Sequence, residues 1–428
     1  MDVRGIAIGD FEKRKMRIRS KTLLEAIFAF KGNWSTGVKP GRRVFDGIEI
    51  APLKNDAKAA ACISADLEFS WAFRMHPKEL ARERGRQSRE NISYLLRIFE
   101  DYAFPITWAT VGHLFLESCE RASSGLAHAE MPRPPRNELW TGDWYMHDPC
   151  TNYKEDPFWY APDVIQGILE NPVSHEIGTH SFSHIDFSHS CSNPTLVRRE
   201  IEESVTAMQR FRISPRSLVY PFNKMGHAYL DLLSELSITA VRHRDRRVTL
   251  SYPERTPAGV YKLYESMNLR TPSHYDYLDK VKIFMAKAAE RRAVFHLWFH
   301  PSDPTHLFES ELLRIIQFLD SQRKEGLAWI ATMGEIAAYC EAREKLRLEV
   351  EREAGEMRVA WRGSFQSEKY GSTELSLIFP AMPRPRKVIM TVGNDLLHLE
   401  PGNSYVRTAD GRLLINMPTT ARSLRLIF

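Results

Sequence analysis

The sequence predicts an α/β protein built on a closed or nearly closed (β/α) barrel, and three observations lead there. Apolar runs of strand length alternate with helical segments of about ten to fifteen residues, the pattern of parallel βα units. The alternation persists from about residue 57 to residue 345, which suits a barrel better than an open sheet. Acids and histidines fall where apolar runs end, the edge at which such barrels gather their chemistry.

The elements follow in order. Residues 1–50 read as an N-terminal extension, closing on the turn text Thr36–Gly37–Val38–Lys39–Pro40–Gly41. Its basic run Lys13–Lys21 followed by Leu23–Phe30 predicts a helix packed on the main domain, with peripheral membrane contact as the less favoured reading. The barrel is assigned to residues 51–348. Ala59–Ala65 is a buried strand closing on Asp66. Ser88 offers an N-cap for a helix carrying Ile92, Leu95, Leu96 and Phe99, which stops before Pro105. Ile106–Val111 is strand-like, and a loop-rich insertion with many Pro and Trp residues follows, from roughly 123 to 162. Next come a strand ending near Gly178–Thr179, a helix from Pro194 to Phe211 and a strand Ser217–Tyr220. A helix from about 226 to 236 precedes strands Ile238–Val241 and Ala293–Phe299. A helix over 309–323 and the run Ala328–Ala331, leading into a helix through 345, complete the barrel. Residues 357–428 alternate short apolar runs with turns and read as a small all-β module, in which nothing looks catalytic.

Composition narrows the function classes. With 43% hydrophobic and 26% charged residues the chain can bury a sizeable core. Its net charge of +5 is spread among mixed-sign runs such as Arg82–Glu83–Arg84, so nucleic acid is not an expected partner. The five cysteines have no CxxC spacing, and their odd number does not suggest a disulfide framework. The N-terminus shows no secretory h-region and no stretch long enough to span a bilayer, so a cytoplasmic enzyme is expected. Oligomeric state is not legible.

Four segments carry chemistry. His180–Ser181–Phe182–Ser183–His184 follows a strand end, and two histidines four apart on a helical turn share a face and suit one cation. Asp66–Leu67–Glu68 closes the first strand; one carboxylate of the pair can bind metal while the other takes a proton from water. In Phe295–His296–Leu297–Trp298–Phe299–His300–Pro301, period-2 alternation points His296, Trp298 and His300 to one side. His300, at the strand end, is the candidate general acid, whereas His296 reads as a hydrogen-bonded core residue or a support. Tyr220–Pro221–Phe222–Asn223 is a strand followed by a turn whose backbone amides can polarise a carbonyl oxygen.

Together the Asp-x-Glu, His-Ser-x-x-His, Tyr-Pro-Phe-Asn and strand-final His segments resemble the polysaccharide deacetylases with a NodB homology domain (carbohydrate esterase family 4), over roughly residues 57–345. The resemblance implies a distorted (β/α)7 barrel. It also implies a divalent metal, most often Zn2+ with Co2+, Ni2+ or Mn2+ as alternatives, held by one acid and two histidines. Carried over position by position, it implies His180, His184 and Glu68 as ligands, Asp66 as base and His300 as acid, with Tyr220, Phe222 and Asn223 on the oxyanion side. The sequence departs from the family at Leu67, where a ligand aspartate is usual, so Asp66 and Glu68 could exchange roles. It departs again at Val219, in place of the arginine that steers the base, a role left to Arg242 or Arg244.

The expected activity is hydrolysis of the N-acyl, chiefly N-acetyl, amide of an amino sugar in a glycan or glycan precursor. Competing readings are a C–N hydrolase or deformylase on a non-sugar amide, or a catalytically silent barrel that binds glycans. Trp140, Trp144, Tyr145, Trp159 and Tyr160 in the insertion either stack on sugar faces or pack the loop itself.

Overall fold

The computed structural model describes residues 34–428 except 246, 271–275, 403 and 409. The helix expected from Lys13 to Phe30 lies outside the described residues. In chain order the barrel strands are β1 (Ala59–Leu67), β2 (Thr107–Thr110), β3 (Glu176–Thr179), β4 (Ser217–Val219), β5 (Ala240–His243), β6 (Tyr261–Tyr264), β7 (Met267–Asn268), β8 (Val294–Phe299) and β9 (Ala328–Ile330). Small and apolar side chains fill β1 except at Asp66, and the strand is buried at every position, as suits a central parallel strand.

Neighbouring strands run β6-β5-β4-β3-β2-β1-β8-β7 and are parallel throughout. β9 pairs with the first residues of β1, beside the place where β2 pairs with its last ones. A single stretch of chain joins the two edges. β6 pairs with β5, and after a break at Glu265–Ser266 the chain pairs with β8 as β7. Across the break Glu265 N–H donates to the His243 carbonyl (2.9 Å) and Ser266 N–H to that of His296 (2.8 Å). This is a distorted (β/α) barrel of the expected type.

The helices of the barrel are α1 (Lys78–Asp101), α2 (Pro162–Glu170), α3 (Pro194–Gln209), α4 (Leu230–Glu235), α5 (Tyr277–Ala289), α6 (Leu313–Lys324) and α7 (Met333–Lys345). Helix α1 begins well before Ser88, after Pro77, and the Ser88 hydroxyl donates to the Arg84 carbonyl inside it. The expected cap is therefore an interior residue: its side chain is satisfied within the turn, and the helix needs no start there. Helix α7 does begin on a capping box, Thr332 with Glu335. Helices α2 and α5 and the short strands between 248 and 268 were not among the expected elements. β5 starts at Ala240 rather than Ile238, whose N–H is held by the Leu233 carbonyl of α4 (2.9 Å). The shift places Arg242 inside the strand.

Beyond α7 two five-stranded sheets enclose a core that includes Val359, Leu375, Leu377, Ile415, Leu424 and Leu426. Strands Val44–Phe45 and Ile48–Ile50 belong to one of these sheets through pairing of Ile48–Ile50 with Glu374–Phe379. The Tyr339 hydroxyl of α7 donates to the Ala51 carbonyl (2.9 Å) and ties this unit to the barrel. Among the described residues no helix is long and apolar enough to cross a membrane.

Candidate metal centre

Alternation along β1 puts Ser64 and Asp66 on the barrel interior, with Glu68 just past the strand end. All three are buried. The loop after β3 brings His180 and His184 to the same point. Their Nε2 atoms each lie 3.0 Å from Glu68 Oε1, and the ring centroids are 4.9 Å apart.

The histidines do not sit on a helical turn. Residues 180–184 form an irregular loop with Ser181 and His184 at positive φ. Its carbonyls find partners elsewhere: Ser181 O accepts from Gly112 N–H (2.8 Å), Phe182 O from His113 N–H (3.0 Å) and Ser183 O from the Arg74 guanidinium (2.7 Å). Bonds of that kind replace the i+4 amides a helix would use. Gly112 permits the approach, since a Cβ there would come within 3.0 Å of the Phe182 backbone. Glu200 anchors the other side by accepting from Ser183 N–H (2.8 Å) and its hydroxyl.

The donor set suits a divalent cation. His180 Nδ1 lies 2.7 Å from the Val219 carbonyl, which can only accept, so that nitrogen carries the ring proton. With the proton on Nδ1, His180 Nε2 is the nitrogen that could bind a cation at the point it shares with Glu68. Burial pushes His184 down to about 4, outweighing the nearby Glu68 charge, so its ring is neutral and free to ligate. Burial alone would raise Glu68, but the charges around it, His300 first, outweigh burial and hold its carboxyl well below the usual range.

Asp66 has a different partner. Both its oxygens accept from Arg242, at 2.6 Å each, and that guanidinium lies 4.4 Å over the Trp298 ring. Burial acts to raise Asp66, yet the Arg242 charge outweighs it and keeps the carboxylate ionised. Arg244 instead lies beside Glu265 (3.3 Å) with its side chain largely exposed. Of the two arginines considered from the sequence, Arg242 is the one that meets the acid.

His300 lies beside both acids, with Nε2 3.8 Å from Glu68 Oε2 and 3.9 Å from Asp66 Oδ2. Asp303 accepts from His300 N–H (2.9 Å) and lies 3.5 Å from Nδ1. Burial would lower this imidazole, but Glu68, Asp303 and Asp66 together raise it above its ordinary value. Beneath it His296 pairs with Ser64 (2.9 Å), and burial beside Arg242 pushes it down to about 3.

The oxyanion turn is placed only in part as expected. Phe222 packs edge-on against His184 (4.4 Å), and the Asn223 side-chain oxygen lies 3.4 Å from Arg242. The Tyr220 ring packs on Phe187 in the core. The Asn223 amide is committed to the Tyr220 carbonyl (3.1 Å), which leaves the Phe222 amide without a partner among the described residues.

Sequence reasoning missed Asp303, which stands three residues after His300, a local signal that could have found it. It also missed Arg74, whose guanidinium lies over the rings of Trp71, Trp140 and Trp144 and braces the histidine loop. No spacing in the sequence flags that contact. Trp144, Tyr145, Trp159 and Tyr160 are buried, so these insertion aromatics pack the loop rather than offer free faces.

The polysaccharide deacetylase family model matches residues 83–241, so a homology region of that family lies within the barrel. The match contains His180, His184 and the 221–223 turn but neither acid of β1, and it stops one residue short of Arg242. No curated protein matches the chain. Among solved structures, a putative polysaccharide deacetylase from Mycobacterium smegmatis aligns at a TM-score of 0.50 and 13% identity, covering 74% of this chain and 99% of that one. An allantoinase aligns at 0.46 and 13%, covering 67% and 92%. A polysaccharide deacetylase from Bacillus cereus aligns at 0.31 and 13%, covering 64% and 91%.

Proposed function

We propose that the chain is a divalent-metal-dependent hydrolase that removes the acyl group, chiefly acetyl, from an amino-sugar nitrogen in a glycan or glycan precursor. The observation that carries this reading is the convergence of His180, His184 and Glu68 on one point, flanked by Asp66 and His300. The family match supports the substrate class. His180, His184 and Glu68 are the proposed ligands, zinc being favoured by two imidazoles and a carboxylate. A cation there supplies Lewis acidity, polarising the acyl carbonyl and making water acidic enough to attack near neutral pH.

The remaining roles fall to the chain's own groups. Asp66 takes the proton of the attacking water, and Arg242 holds it ionised and aimed. The Phe222 amide donates to the carbonyl oxygen as it gains charge. His300 gives its proton to the departing nitrogen, and its raised affinity for that proton keeps it in the acid form. A groove of about 230 Å³ between Phe222 and the insertion, lined by Asn137, Leu139, Asp186 and Lys224 among others, is the proposed approach for the sugar.

The test is release of acetate or formate from a panel of N-acylated amino sugars and simple non-sugar amides, with and without a chelator. Chelator-sensitive acetate release from the amino sugars is expected. Release from non-sugar amides alone would overturn the substrate class, and none from any amide would overturn the hydrolase reading.

A further inference from the structure

A second group of ligand-type side chains lies outside the site just described. His113 follows β2 on a short 3-10 turn, whereas Cys119, His128 and Asp148 come from the loop-rich stretch before α2. Their donor atoms all lie within 4.8 Å of one another. His113 Nε2, His128 Nε2 and Asp148 Oδ2 form a triangle with sides of 3.1, 3.0 and 2.9 Å, and Cys119 Sγ is 3.4 Å from the same carboxylate oxygen. His113, His128 and Asp148 are buried, and Cys119 is partly exposed at the edge.

Protons alone serve this triangle poorly. His113 Nδ1 lies 3.2 Å from the Trp159 carbonyl, an acceptor only, so the ring proton belongs there and Nε2 presents a lone pair. That lone pair faces Asp148 Oδ2 and His128 Nε2. One proton on His128 Nε2 can serve either neighbour but not both, which leaves one edge of the triangle lone pair against lone pair. A cation at the common centre satisfies every edge. Tetrahedral bonds of about 2.0–2.3 Å place donors about 3.3–3.7 Å apart; the sulfur contact of 3.4 Å lies in that range, and the triangle of 2.9–3.1 Å would open by a few tenths of an ångström on binding. The outer contacts also match a metal site: the His113 ring is oriented by a carbonyl, and Asp148 Oδ1 accepts from Cys150 N–H (3.0 Å) and the Tyr160 hydroxyl (3.2 Å).

We propose that His113, His128, Asp148 and Cys119 hold a second, structural divalent cation of the zinc class, which pins the insertion to the barrel. Two imidazoles, a carboxylate and a thiolate form a closed four-donor set, and the sulfur favours zinc over harder cations. Cys119 gives up its thiol proton on binding. The site fixes a stretch that, from 116 to 161, has only isolated bridges for regular structure. It also touches the first cluster through one residue, since the Phe182 ring packs on His113 (5.6 Å) and His128 (5.4 Å) between the two ligand histidines of that cluster.

Elemental analysis of the full-length protein, wild type and His180→Ala/His184→Ala, tests this independently of the catalytic reading. About one cation per chain is expected to remain in the double variant and to be lost when His128→Ala is added. A double variant without any cation would overturn the inference while leaving the proposed hydrolase untouched. Cobalt substitution supplies a second measurement that does not depend on the stability of the His128 variant. The first cluster holds no sulfur, so a thiolate-to-cobalt charge-transfer band that disappears in Cys119→Ser supports the site. No such band, or one that survives Cys119→Ser, overturns it.

Discussion

Two clusters of histidine and carboxylate stand on either side of Phe182, alike in donor geometry and opposite in their surroundings. Around Glu68, His180 and His184 converge from the loop after β3, with Asp66, Arg242 and His300 arrayed beside them. Around Asp148 the four donors close on themselves, and their outer partners include a carbonyl, an amide and a phenol. A cation held by three protein donors beside an acid and a base is equipped for chemistry, whereas one held by four is equipped to hold a fold. What differs is what lies next to the donors.

The largest effect expected from this contrast is at the first cluster. His184→Ala should abolish turnover and remove one cation, with little change in thermal stability; elemental analysis beside acetate release checks both. Arg242→Met comes next. It leaves Asp66 buried without its partner, so kcat should fall by about 10²–10⁴-fold and stability by about 3–5 kcal/mol. Full activity in a folded Arg242→Met protein would remove Asp66 from the role of base.

At the second cluster the order reverses. His128→Ala should lower the melting temperature and increase proteolysis within 116–161 more than it lowers kcat. A variant that loses turnover but keeps its stability would mean the two clusters are not divided in this way.

The smallest effect expected is on pH dependence. The His300 pKa is raised, so its acid form persists above the ordinary histidine range and activity is lost as pH rises through that higher value. Asp303→Asn removes one of the carboxylates that raise it, so the alkaline limb should move to lower pH by up to about one unit. A limb that moves upward would assign it to another group.

The two clusters also differ in how far the sequence announces them. His180 and His184 stand four apart after a strand, and the acids close an apolar run, so spacing alone brings them forward. Their loop conformation is not legible, because its carbonyls are satisfied by Gly112, His113 and Arg74, distant in sequence. Arg242 is legible only as a fallback, since its role depends on where β5 begins. Positions 113, 119, 128 and 148 share no period and no element, so only the folded chain shows them as a group. The same holds for the barrel. Long runs such as β1 and β8 are plain in the sequence, whereas β6 and β7 are short pieces defined by the edges they join.

The most direct test of the central claim is turnover of an N-acetylated glucosamine oligosaccharide by full-length protein stripped with a chelator and then reloaded with zinc. The account predicts that acetate release is lost on stripping and returns on reloading in the wild type but not in His184→Ala. Undiminished release from protein shown to be free of any cation would contradict it.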